Sequence, residues 1–92
     1  MKIFYSLSHL TQVKIKNKEY DKAFGENLKK IRKGKKLSRE VLAATAGIES
    51  KQIYRIEVEY QSPTIATVVA IALALKLHPK KLLDFDFDFE NY

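Results

Sequence analysis

At 92 residues the chain has room for one small domain around a single core, and its 46% hydrophobic content is too high for a disordered polymer. It has no cysteine and only two histidines, His9 and His78, far apart in sequence. That excludes a disulfide framework, a thiolate metal site and a cysteine nucleophile, and supplies no histidine pair for metal or acid–base work. Seventeen Lys and Arg against eleven Asp and Glu leave a net charge of +6, which points to a polyanionic partner.

The chain divides into three zones. Residues 1–18 are rich in β-formers and read as an N-terminal extension. Thr11 to Lys18 alternates, with Val13 and Ile15 opposite Lys14, Lys16 and Lys18, so a short strand is expected there. Ile3, Tyr5 and Leu7 offer another. Ser6, Ser8 and His9 interrupt any signal-type apolar run, so a cytoplasmic location is expected.

Residues 19–83 read as consecutive short helices. Tyr20, Phe24, Leu28 and Ile31 recur at the spacing of one helical stripe, and Gly34 is placed to end that helix. Ser38 is placed to cap the second helix, with Leu37 and Leu42 at the spacing of a hydrophobic staple. Leu42, Ala43 and Ala46 are expected inside, and Gly47 stops this helix after about two turns. The third helix opens at Glu49 or Ser50. Ile53 and Ile56 mark its inner side; Lys51, Tyr54, Arg55 and Val58 form an outer stripe.

Ser62-Pro63 breaks the chain, and Thr64 is placed to cap a fourth helix running to about Lys76. Its expected core positions are Ile65, Val68, Ile71, Ala72 and Leu75. Ala66, Val69, Ala70 and Leu73 form a second apolar face, a candidate homodimer interface. This is the longest apolar stretch in the chain, yet Thr67 interrupts it and it is too short to cross a bilayer. His78-Pro79 opens a short fifth helix.

Residues 84–92 form an acidic aromatic tail holding four acids and no base. With those four set aside, seventeen basic residues face seven acidic ones, so the body alone carries +10. Asp84-Phe85-Asp86-Phe87-Asp88-Phe89 alternates strictly, and a strand here would pair well with the basic strand of the extension. The alternating aspartates lack the glycine turn and closing glutamate of a calcium loop, so neither metal nor cofactor is expected.

A two-turn helix, a glycine turn and a helix with a long polar outer stripe are what a helix-turn-helix requires. The first helix crosses the DNA backbone and the second projects into the major groove. Here the sequence resembles the XRE-type (Cro/phage-repressor-like) helix-turn-helix family. The resemblance rests on Phe24, Leu28 and Ile31-Arg32, then Leu37-Ser38-Arg39-Glu40-Val41-Leu42-Ala43 and Ala46-Gly47-Ile48. It continues through Ile53-Tyr54-Arg55-Ile56-Glu57, Ser62-Pro63-Thr64, Leu75-Lys76-Leu77-His78-Pro79 and Leu82-Leu83, about two thirds of the chain.

The resemblance implies an all-α, five-helix, lambda-repressor-like domain that binds double-stranded DNA, usually as a homodimer on a palindromic operator. It places base reading on Glu49, Ser50, Lys51, Tyr54 and Arg55, and phosphate contacts on Ser38, Arg39 and Gln52. It assigns Arg32 and Glu57 to a structural salt bridge. Arg55 has the fork that binds guanine O6 and N7 together. Two positions depart from the family pattern. Glu49 stands where Ser or Thr is usual, and Glu59 where glycine is common, so the turn after the third helix is expected to be strained or different.

The function expected is that of a sequence-specific transcriptional regulator, a repressor. The alternative is an antitoxin-like subunit that grips a protein partner through residues 84–92 by strand addition and regulates its own operon. A small basic ribonuclease is disfavoured, because no His/Glu pair converges to serve as acid and base. No catalytic residue is assigned.

Overall fold

The structure is a computed structural model that describes residues 18–88. It contains four α-helices, α1 (Lys18–Gly34), α2 (Arg39–Ala46), α3 (Ser50–Val58) and α4 (Ile65–Ala74), followed by a 3-10 helix, Pro79–Leu83. Among the described residues the fold is all-α. The expected fifth α-helix is this tighter turn. Pro79 opens it and His78 caps it, the His78 Nδ1 accepting from the Lys80 amide at 3.1 Å.

The apolar stripes meet in one core. Leu28, Leu42, Ile53, Ile71, Leu75 and Leu82 are fully buried, drawing one or more side chains from every element. Each such burial contributes roughly 2 kcal/mol before chain entropy is charged against it. Phe24, Ala43, Ile56 and Ala72 complete the cluster, and Ile31, Leu37, Ile48 and Val68 pack on its rim. Ile65, an expected core residue, is 81% exposed. It is the first residue of α4.

At Gly25, α1 approaches α3 closely: a methyl group there would overlap the Ile56 carbonyl oxygen. This glycine is used for space, since its helical backbone suits any residue.

Three of the four helices end on the same device. After α1, the Lys36 amide donates to Lys33 C=O at 2.9 Å and the Leu37 amide to Arg32 C=O at 3.2 Å. This is the Schellman closure, with Lys36 left-handed at φ 61°. Gly34, expected to take that role, is the last helical residue instead. The closure recurs after α2, with Gly47 at φ 76°, and after α4, with Lys76 at φ 59°. After α3 the backbone differs. Glu59 stays right-handed at φ −97°, and the left-handed residue is Tyr60 at φ 57°. The glutamate where glycine is common therefore bears no left-handed strain; the turn has moved one residue on.

Among the described residues there is no β-strand. Lys18, assigned above to the extension, is the first residue of α1. Asp84 to Asp88 form irregular backbone. Their phenylalanines fold back on α1: the Tyr20 ring lies 5.1 Å from Phe85 and 4.9 Å from Phe87, the latter edge-on. The aromatic pairing satisfies these side chains without a ladder. The Asn27 amide fixes the same corner, donating to Leu82 C=O at 3.0 Å and Lys81 C=O at 3.3 Å. The expected strands at residues 1–17 and at Phe89 lie outside the described residues.

Candidate nucleic-acid interface

Two helix starts and one helix face make the site. At the start of α2, Ser38 is extended and its Oγ accepts from the Val41 amide at 3.1 Å. Arg39 follows as the first helical residue. Gly47 then turns the chain, and α3 projects with Ile53, Ile56 and Glu57 buried beneath it. Glu49 caps α3 by backbone shape alone, with no side-chain bond, so its carboxylate is exposed at the helix mouth.

The outer face of α3 is open. Lys51, Gln52 and Tyr54 are exposed, and Ser50 and Arg55 are half-buried. The structure thus brings Ser50, Lys51, Tyr54 and Arg55 together on α3 with Glu49 at its mouth, Lys51 and Tyr54 exposed and Ser50 and Arg55 partly covered. Arg55 and Gln52 also line a cleft of about 100 Å³ shared with Gln61, Ser62 and Thr64. The sequence treats Ser62 and Thr64 only as breaker and cap, and Gln61 not at all. Nothing local marks them as neighbours of the α3 stripe, because the approach comes from the turn between α3 and α4.

Beneath the face sits a buried ion cluster. Arg32 grips Glu57 with both arms of its fork, Nε to Oε2 and Nη2 to Oε1, each at 2.8 Å. Its third arm donates to Leu37 C=O at 2.7 Å. The Arg32 guanidinium is thereby held above its ordinary pKa, chiefly by the hydrogen bond to Glu57 and against the cost of burial. Arg39 joins the same carboxylate, Nε to Oε1 at 3.0 Å. Its guanidinium also lies over the Tyr54 ring, 5.3 Å from the centroid. Neither link of Arg39 is visible in the sequence.

The candidate dimer face is mixed in exposure. Ala66 and Leu73 are exposed, Val69 is borderline at 37%, and Ala70 is half-buried. Ile65 extends the patch at its N-terminal end. No helix among the described residues is long and apolar enough to cross a membrane, and no His/Cys/Asp/Glu group among them is placed to hold a metal ion.

The helix-turn-helix domain family matches residues 25–84. Among solved structures, the restriction-modification controller protein C.AhdI from Aeromonas hydrophila is 27% identical, over 67% of this chain and 94% of its own, with a TM-score of 0.65. The DNA-binding domain of the P22 C2 repressor is also 27% identical, over 68% of this chain and 83% of its own, at 0.63. The clp gene regulator ClgR from Corynebacterium glutamicum shares the fold at 17% identity, over 70% and 68%, at 0.65. No curated protein matches the chain. The matched span contains α2, the Gly47 turn, α3 and the buried Arg32–Glu57 pair, and with it the chain belongs to the XRE-type helix-turn-helix family.

Proposed function

We propose that this protein is a sequence-specific transcriptional repressor that binds a palindromic operator in double-stranded DNA as a homodimer. One observation carries the reading: α3 has an outer stripe of exposed Lys51 and Tyr54 and half-buried Arg55, on a helix whose opposite face is locked into the core. Such a helix presents its side chains to the major groove without rearrangement.

In this docking Lys51 and Arg55 read base edges, Arg55 by a bidentate contact with guanine, and Tyr54 packs on an adjacent base pair. Ser50 and Glu49 lie at the groove mouth, where a carboxylate accepts from cytosine N4. Ser38, Arg39 and Gln52 face phosphates, the first two at the start of α2, where backbone amides favour an anion. Repression follows from occupying the site. The dimer forms through Ala66, Val69, Ala70 and Leu73, a face without charge on a chain of net charge +6. An isologous contact places like beside like, so an uncharged patch is where two such copies meet most cheaply.

The protein-partner reading through residues 84–92 is weaker. Phe85 and Phe87, the side chains that strand addition needs, are engaged with Tyr20.

Selection of bound sequences from a random duplex pool tests the function. The expected result is a two-fold symmetric consensus. With Arg55→Ala, preference should relax at one base pair of each half-site, by about 1–3 kcal/mol. A pool that emerges unselected refutes sequence-specific binding. Sedimentation tests the dimer: wild type should associate at micromolar concentration and Leu73→Glu should not.

A further inference from the structure

A phosphate contact at the start of a helix normally carries no sequence information. Arg39 is placed to do more. Its guanidinium has three nitrogens and a delocalised charge, and only one of the nitrogens is taken up by a described residue. Nε is bonded to Glu57, whose side chain is fully buried and is itself fixed by the two-armed grip of Arg32. Its Cζ lies over the ring of Tyr54, 5.3 Å from the centroid, and Tyr54 is an exposed aromatic on the outer stripe of α3. No described residue accepts from Nη1 or Nη2, which remain available to a phosphate. The side chain is 28% exposed, consistent with one edge in solvent and the rest held.

We propose that Arg39 is a positioning residue for base reading: it holds the Tyr54 ring in one orientation, so the grip on the DNA backbone and the recognition of one base pair are coupled through a single guanidinium. This rests on the docking proposed above. Glu57 anchors Arg39 and Arg39 immobilises Tyr54, so a buried carboxylate of the core sets the direction of a side chain in the groove. Phosphate binding at Nη leaves the Nε bond to Glu57 in place and draws charge close to the ring. A tyrosine with two free torsions tolerates any base opposite it; one held by the arginine presents its edge and hydroxyl to one base pair. Lysine at position 39 would keep the positive charge but lose the Nε bond and the delocalised guanidinium over the ring.

The decisive measurement is a comparison of affinities over all single base-pair variants of the selected operator, for wild type, Arg39→Ala, Arg39→Lys, Tyr54→Ala and the Arg39→Ala/Tyr54→Ala pair. Far-UV circular dichroism confirms that each variant is folded. Arg39→Ala should lower affinity for every duplex and, in addition, reduce discrimination about two- to fivefold at the base pair where Tyr54→Ala also does. The double variant should discriminate there no worse than Tyr54→Ala. Arg39→Lys should restore the salt dependence without restoring that preference. Uniform weakening of all variants by Arg39→Ala, with the preference intact, overturns the proposal while leaving the DNA-binding reading standing. Loss of any wild-type preference among duplexes overturns both.

Proton NMR of the free protein gives a second readout. The Arg39 side-chain protons should lie upfield from ring current and return to ordinary positions in Tyr54→Ala. Arg39 protons at ordinary positions in the wild type overturn the proposal irrespective of DNA.

Discussion

Removing the Glu57 carboxylate should be the most damaging single change to a polar side chain in this protein. Glu57 is fully buried and accepts three charge-assisted hydrogen bonds, two from Arg32 and one from Arg39. In Glu57→Ala, Arg32 stays buried with only the Leu37 carbonyl as partner. A buried pair broken on one side costs about 3–5 kcal/mol. A chain of 92 residues at typical stability per residue has about 5–14 kcal/mol in all, so much of it goes. At about 4–8 °C per kcal/mol, the melting temperature should fall by at least ~12 °C.

Thermal and urea unfolding followed by far-UV circular dichroism measures this. Two companions locate the cause. Arg39→Ala should cost about 1 kcal/mol or less, because that arginine is partly solvated. Arg32→Met with Glu57→Met should lose less than Glu57→Ala, since no charge is stranded. A cost below about 1 kcal/mol for Glu57→Ala, or a double variant worse than the single, refutes the buried-cluster argument. The Arg32 contribution should not vary with pH in the neutral range. Its pKa is raised by folding, so the stabilisation is complete below the unfolded value and is lost only as pH climbs through the folded one, far into alkali.

Gly25→Ala should destabilise by about 3 kcal/mol, since the new methyl meets the backbone oxygen of Ile56 and α1 must move off α3; an unchanged urea midpoint would show that the helices are not this close. Lys36→Gly should stabilise by about 0.5–1 kcal/mol, because the strain of a left-handed lysine slightly exceeds the flexibility that glycine adds. Denaturation of that variant should shift upward with no change in denaturant slope. Ser38→Ala should cost about 1 kcal/mol of unfolding free energy through loss of the α2 cap, and a neutral outcome would remove the Oγ–Val41 bond from the account. Tyr20→Ser should free the 84–88 segment, seen as faster amide exchange at Phe85 and Phe87 with little change in the α3 core.

The helical order was legible because it is written in local terms. Ser38, Gly47 and Thr64 cap or stop helices by chemistry confined to a few neighbouring residues, and the four-residue spacing of Phe24 and Leu28 specifies a buried face. The Arg32–Glu57 pair was accessible only through family resemblance, since nothing local links residues 25 positions apart. Three features were not legible. Ile65 fits the apolar spacing of α4 but, as the first residue of the helix, is exposed. Lys36, Lys76 and Tyr60 carry the left-handed turns that sequence reasoning reserves for glycine; after the two lysines, Leu37 and Leu77 pull the chain back onto the core, and after Tyr60 the Gln61 amide closes onto the Arg55 carbonyl. The tail pattern fits a strand, yet the aromatic ring of Tyr20 outcompetes a ladder for Phe85 and Phe87. Of the candidate interface, the exposed stripe of α3 followed from spacing. The junction of Arg39, Glu57 and Tyr54 is tertiary and had no sequence signal.

The aromatic corner at Tyr20 has a topological consequence. The polypeptide enters α1 and departs after the closing turn through the same small patch, with rings from both ends within 5.1 Å. The first turn of α1 and the residues after the closing turn therefore share one socket. The domain is suited to circular permutation by a short bridge across that socket, with the new break placed in the exposed turn at Gln61 and Ser62.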